Sequence, residues 1–321
     1  MNVKLSSPEL RYKTFGSFLK EKFGFPVYKI GIDAGFNCPH RSNSREMGGC
    51  TYCNPKSFSA PSADPSLSIP EQIKGGMKLL KKSYKTVKFI AYFQTHTNTL
   101  ASAEKLRRIY QEALEFDEIV GISIGTRPDC LPDKTLDLIQ EVSRKTFLII
   151  ELGLESANDK TLNKINRNHT VKDFTIAINK LKKLSIHTCA HIILGLPDED
   201  FNDMMRTANY LSSVGVDGVK IHHFHVVKGT DMEKDYYEEK IKTFMFEEYM
   251  TVVIKFIEHL DSGIIIHRLL GDCPEELLIA PKWNLGKAQI LKSINDEMIR
   301  QNARQGKSFN NSLKISQSIN E

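Results

Sequence analysis

Residues 27–53 read VYKIGIDAGFNCPHRSNSREMGGCTYC, and two features of this stretch decide the fold. Residues 27–33 form a short apolar run of the kind that makes a buried strand. A cysteine-bearing loop follows at once, in which eleven residues separate Cys38 from Cys50 and two separate Cys50 from Cys53. The C-terminal end of a buried strand is where α/β proteins gather their chemistry. Gly48 and Gly49, just before Cys50, let the backbone bend sharply towards a bulky inorganic group.

Working outward, the strand signal recurs at 87–94, 119–124, 147–152, 188–194 and 216–222, with an additional run at 264–269. Amphipathic stretches lie between these runs, at 70–84, 101–115, 133–145, 171–184 and 200–214. Pro70-Glu71 suits a first helical turn. Phe174, Ala177, Ile178, Leu181 and Leu184 share one helical face. Strand–helix alternation implies parallel strands with right-handed crossovers. The expectation is an α/β fold: a partial (β/α)6, TIM-like barrel with N-terminal and C-terminal helical extensions. The divisions expected are an extension at 1–26, a core barrel at 27–262 and a strand/helix extension with a polar tail at 263–321. A helix is expected over about 285–306. Arg300, Arg304 and Lys307 would share a face there, either as an ordinary solvated face or as a contact to an RNA backbone.

The chain has 321 residues, 40% of them hydrophobic and 26% charged, which reads as soluble and globular. The net charge of +5 permits an anionic partner without demanding one. No segment approaches the roughly 20 apolar residues of a membrane span, and the first residues, MNVKLSSPELRYK, carry no apolar signal region. A cytoplasmic protein with no membrane partner is expected, its six cysteines being reduced thiols or metal ligands.

Three grouped thiolates bind a soft metal centre. A four-iron cluster on three cysteines keeps one iron open, where a cofactor or substrate can bind. Two alternatives stand beside it: a zinc site with His40 as fourth ligand, and three unligated thiols. Among the isolated cysteines, Cys189 reads as strand core. Cys130 follows Arg127-Pro128-Asp129 at a strand end, where it can face the site.

The words around these cysteines carry a resemblance. The spacing of Cys38, Cys50 and Cys53, with Tyr52 before the last, resembles the expanded loop of Elp3-like radical S-adenosylmethionine (SAM) enzymes. Ile32-Asp33-Ala34-Gly35-Phe36-Asn37-Cys38-Pro39, Gly49-Cys50-Thr51-Tyr52-Cys53-Asn54-Pro55, Ala91-Tyr92-Phe93-Gln94 and Gly125-Thr126-Arg127-Pro128-Asp129-Cys130 are similar to the bacterial YhcC/YtqA family. So are Glu151-Leu152-Gly153-Leu154-Glu155-Ser156 and Lys220-Ile221-His222-His223.

The resemblance implies a [4Fe–4S] cluster on Cys38, Cys50 and Cys53, SAM as cofactor, and a 5′-deoxyadenosyl radical that abstracts hydrogen from substrate. It places Gln94 near the methionine part of SAM and Glu155 at its ribose or ammonium, although an acid here also suits a helix N-terminus. It pairs Arg167 with the SAM carboxylate, a surface arginine being the alternative. Asn168 replaces the usual glycine of that word but tolerates a left-handed turn. It sets Gly195 against adenine, with His191 where the broader pattern has glycine. Lys220 and His222 share a strand face and are expected to meet substrate, a purely structural histidine being equally compatible; His223 points the other way. Family likeness further implies transfer RNA as substrate, by an MnmL-type trimming of 5-carboxymethylaminomethyl to 5-aminomethyl on wobble uridine. It implies an electron donor such as flavodoxin or ferredoxin as well. A small-molecule substrate, or a zinc-stabilised RNA-binding protein without redox chemistry, would be the alternatives.

Overall fold

The computed structural model describes residues 10–41, 45, 48–84 and 88–309. The strands are β1 (Tyr28–Ile32), β2 (Phe89–Phe93), β3 (Ile119–Thr126), β4 (Phe147–Glu155), β5 (His187–Leu194), β6 (Gly218–His223), β7 (Val226–Val227), β8 (Ile265–Arg268) and β9 (Leu278–Ala280). The helices are α1 (Phe15–Phe23), α2 (Ile69–Ser83), α3 (Ala103–Leu114), α4 (Asp133–Ser143), α5 (Asp159–Lys164), α6 (Val171–Lys183), α7 (Phe201–Val214), α8 (Asp231–Tyr237), α9 (Phe246–His259) and α10 (Lys287–Arg300). Reciprocal capping boxes start three of them, with Ser68 and Glu71 on α2, Thr170 and Asp173 on α6, and Asp200 and Asp203 on α7.

Seven strands form one parallel sheet in the order β1-β2-β3-β4-β5-β6-β8, curled into a half-barrel. β7 and β9 make a separate antiparallel pair. The α/β half-barrel is the expected fold, with one strand more than six. The additional run at 264–269, placed at the head of the C-terminal extension, becomes β8 and pairs with β6 in parallel. α9 lies in the intervening segment. Its β-branched run from Thr251 to Ile254 masks the helical spacing of Tyr249, Val252, Val253, Phe256 and Ile257, all buried. The expected strand at 87–94 is observed as β2; Val87 lies outside the described residues.

Alternation divides each strand between two environments. Val219 and Ile221 of β6 are buried in the main core, whereas Lys220 and His222 line a cavity inside the half-barrel. The helical layer supplies the other half of that core through residues such as Phe174, Ile178 and Leu181 of α6 and Val253 and Ile257 of α9. At the N-terminal ends of the strands, α1 packs Phe18 against Phe147 and His187, and Phe15 stacks on His267 at 3.9 Å.

One expectation is corrected here. The last helix ends at Arg300, not near 306. Asn302 adopts a left-handed φ of 49°, and the amides of Asn302 and Ala303 bond back to the carbonyls of Ile299 and Met298, a Schellman stop. Arg304 and Lys307 therefore lie beyond the helix. Arg300 pairs with Glu297 at 2.5 Å and Lys307 stands 3.5 Å from Glu258, so the three do not form one basic helical face.

Candidate active site

The loop after β1 is fixed before it reaches its cysteines. Arg45 pairs with Asp33 at 2.6 Å and donates to the Phe36 carbonyl at 2.7 Å, while Gln72 of α2 bonds both the amide and the carbonyl of Asp33. Gly48 and Gly49 both have positive φ, the bend expected ahead of Cys50. Cys38, Cys50 and Cys53 line one cavity together.

Arginines meet the sulfurs. Buried Arg41 donates from Nη2 to the Cys53 carbonyl and to its Sγ, each at 3.1 Å. Arg167 Nη1 lies 3.6 Å from Cys50 Sγ, and Thr97 donates to Cys38 Sγ at 3.4 Å. Burial and the neighbouring Cys50 push the Cys53 thiol up to about 12, with Arg41 opposing. A metal binds the thiolate, and both guanidiniums favour that anionic form. His40 Nε2 sits 3.4 Å from Cys50 Sγ, but its Nδ1 faces Arg127 at 3.2 Å.

Arg167 is buried, 6% exposed, so it is not a surface arginine. Its Nη2 donates to the Gly153 carbonyl at 2.7 Å and lies 3.3 Å from Glu155, while its buried Nε has no partner. Burial opposes its charge, yet Cys50 and Glu155 prevail and raise its pKa. Glu155 is the last residue of β4, with a left-handed φ of 71°, and precedes α5 by several residues. It faces Arg167 rather than a helix terminus. Burial raises its pKa, against the pull of Arg167. Gly153 makes this approach possible: a side chain there would strike Arg167 and come within 2.6 Å of Glu155. Asn166 and Asn168 both take left-handed φ, the turn expected of Asn168.

Arg127 holds this turn. It donates to the carbonyls of Arg167 at 2.8 Å and Asn168 at 3.0 Å, and is itself paired with Asp129 at 2.9 Å. The word Gly125-Thr126-Arg127-Pro128-Asp129 carried this signal. Gln94 lines the cavity just after β2. Gly195 and Cys130 are not among the lining residues. A side chain on Gly195 would meet the Phe244 ring at 2.6 Å, and Cys130 is buried beside Asp129.

The least anticipated feature is a polar layer inside the half-barrel, centred on fully buried Glu151. Lys29 of β1 pairs with its Oε1, Ser123 of β3 donates to it at 2.6 Å, and His191 of β5 lies 2.6 Å from Oε2. Lys220 of β6 pairs with Oε2 at 3.0 Å and donates to the Tyr92 hydroxyl of β2 at 2.7 Å. Burial opposes ionisation of Glu151, but Lys220, Lys29 and His191 hold its pKa well below the usual carboxylate range. Burial lowers Lys220 to about 8 despite Glu151. His191, in the position of the expected glycine, is thus an inward polar contact. Cys189, read as core, is fully buried, with its sulfur within 4.8 Å of ligand atoms of Glu151 and His191.

His222 lines the cavity beside Lys220. His223 is buried, stacked on Trp283 at 4.4 Å, and its Nε2 meets that of His225 at 2.6 Å. Burial, the first cause in each case, lowers His169, His191 and His225 from 6.5 to about 4. Between those values the unfolded chain binds protons that the folded chain refuses. Stability is therefore expected to fall as pH drops from about 6.5 towards 4. A thermal midpoint that stays level between pH 7.5 and pH 5.5 (about one unit above and below the range's upper end) would contradict this.

Comparison with known proteins matches this arrangement to a family. The Radical SAM superfamily model matches residues 37–211, and the Radical_SAM C-terminal domain matches 216–300. The chain belongs to the radical SAM superfamily, and with that membership come its cofactors, a [4Fe–4S] cluster and SAM. Protein YtqA of Bacillus subtilis is 40% identical over 307 residues, 95% of this chain and 94% of that protein. Protein YhcC of Escherichia coli is 36% identical over 270 residues, 84% of this chain and 86% of its own length. Among solved structures, Elp3 of the archaeon Methanocaldococcus infernus superposes with a TM-score of 0.67 at 16% identity, covering 87% of this chain and 64% of that one. A more distant relative, the tRNA-2-methylthio-N(6)-dimethylallyladenosine synthase of Thermotoga petrophila, is 23% identical over 61% of this chain and 46% of its own.

The residues present fit the cluster. Three thiols open on one cavity, two carry guanidinium contacts, and the orphaned Nε of Arg167 lies beside them. Among the described residues, no helix is long and apolar enough to cross a membrane.

Proposed function

We propose that this radical SAM enzyme acts on transfer RNA, trimming the 5-carboxymethylaminomethyl group of a wobble uridine to 5-aminomethyl: the CH2 carbon is oxidised by two electrons, with SAM as the oxidant, and water breaks its bond to nitrogen so that the two-carbon unit leaves as glyoxylate. The bound cofactors supply a 5′-deoxyadenosyl radical that removes hydrogen from substrate. In this reading Cys38, Cys50 and Cys53 hold the cluster, and Arg41 and Arg167 set positive charge beside the Cys53 and Cys50 sulfurs. Gln94, Glu155 and Arg167 take the polar groups of SAM. Gly195 is left out of this set because the Phe244 ring covers it. Lys220 and His222 are assigned to the substrate.

The observation carrying this reading is the single cavity. It joins the three thiols to the inward faces of β4, β5, β6 and β8, so a cofactor and a second molecule have adjoining walls. The kinship with a tRNA-2-methylthio-N(6)-dimethylallyladenosine synthase supports RNA as that second molecule. The positive net charge is compatible with it.

The test is direct. Anaerobically reconstituted protein is incubated with SAM, reductant and tRNA carrying 5-carboxymethylaminomethyluridine, and the nucleosides are separated by mass. We expect 5-aminomethyluridine to accumulate with time. Its absence, from protein of verified iron and sulfide content, would refute the assignment.

A further inference from the structure

Arg268 ends β8, and the sheet register sets it against Lys220 of β6. Both side chains leave the same face of the sheet and line the cavity. Lys220 already has its partners in Glu151 and Tyr92. The Arg268 side chain makes no hydrogen bond and no ion pair among the described residues, and its Nε is buried without an acceptor.

The nearby carboxylates are committed elsewhere. Glu151 serves Lys29, Lys220, Ser123 and His191; Glu155 serves Arg167; Asp272 pairs with Lys287 at 2.5 Å. The half-barrel interior therefore holds an excess of positive charge, with a guanidinium as its uncommitted member. A guanidinium that is half-buried, with its Nε withdrawn from water and given no acceptor, carries a desolvation cost that no protein group offsets. An arginine in that state is suited to a carboxylate brought by a ligand, which its planar fork takes through two parallel N–H···O bonds.

We infer that Arg268, with Lys220 beside it, anchors a carboxylate of the substrate. The inference rests on the reading above, in which the side chain trimmed from uridine carries a carboxylate and the product does not. It makes Arg268 a specificity residue: it grips what is to be processed and has no hold on what has been. The other source of such a group is the methionine carboxylate of SAM, and the experiment separates the two.

Full-length protein with its cluster is titrated with two anticodon stem–loops. One carries 5-carboxymethylaminomethyluridine and the other 5-aminomethyluridine. We expect wild type to favour the first by about tenfold or more, the scale of one charge-assisted bidentate contact. Arg268→Gln should bring that ratio close to one. It should leave the affinity for the second RNA and the affinity for SAM unchanged and the thermal midpoint no lower than that of wild type, since no side-chain contact is lost. Arg268→Lys should retain part of the preference.

An equal affinity of wild type for both RNAs would overturn the inference. So would a preference that survives in Arg268→Gln, or a loss of SAM binding in that variant, which would assign the arginine to the cofactor. Conversion is followed in the same samples. A preference lost in Arg268→Gln but with no conversion by wild type would sink the trimming reaction and leave the anchor standing. Conversion without any preference would do the reverse.

Discussion

Cys53→Ala is expected to reduce 5′-deoxyadenosine formation from SAM to background, together with the cluster's visible absorbance. With three thiols meeting in one cavity, a four-iron cluster has no spare cysteine there to replace a lost ligand. The other three cysteines make the control. Cys130, Cys189 and Cys273 lie outside the cavity lining, so Cys130→Ala and Cys273→Ala should keep the iron and sulfide content of wild type. If Cys53→Ala retained full cluster content and reductant-dependent cleavage of SAM, the ligand assignment would be wrong. A colourless protein holding zinc alone after reconstitution would point instead to a site that includes His40, whose Nε2 already stands against Cys50.

The second large effect is expected on stability. Glu151→Ala should cost about 3–5 kcal/mol, the usual penalty for removing one member of a buried ion pair. Glu151 is fully buried and neutralises Lys220, whose side chain is 12% exposed; Lys29, at 18%, is also largely covered. Without the carboxylate, Lys220 loses the attraction that opposes its desolvation, and its pKa should drop below about 8. Exchanging both partners, as in Glu151→Leu with Lys220→Met, should recover much of the loss, because no unpaired charge then remains between those two positions. Chemical denaturation of wild type, Glu151→Leu, Lys220→Met and the double variant gives the coupling. A Glu151→Ala variant within about 0.5 kcal/mol of wild type would show that the layer contributes little.

The two kinds of feature in these predictions differ in how far the sequence disclosed them. The cysteine loop was legible because its parts are local: the strand before it, the spacing and the paired glycines all lie within residues 27–53. The first six strands and the five helices between them were legible for the same reason, since fully buried parallel strands read as continuous apolar runs. The Glu151 layer was not legible. Lys29, Ser123, His191 and Lys220 come from four strands; Lys220 and His191 stood out in the sequence for other reasons, and Lys29 and Ser123 each resemble an ordinary polar residue in a strand. They become a network only when the sheet curls. Arg127 is an intermediate case: its sequence word was conspicuous, but its hold on the Arg167 turn spans 40 residues and belongs to tertiary structure. The expected long basic helix failed for a local reason that composition does not display, the left-handed turn at Asn302.

The aromatic packing of α1 has a consequence for traffic. Phe15 and Phe18 lie over His267, Phe147 and His187 at the N-terminal ends of the strands, and close that end of the half-barrel. The opposite rim, where the cysteine loop and the strand ends lie, is then the side open to small molecules among the described residues. An RNA seated on that rim, as proposed above, would cover the cavity on that side. Turnover would then be a queue: SAM enters first, RNA follows, and spent cofactor waits until the RNA has left.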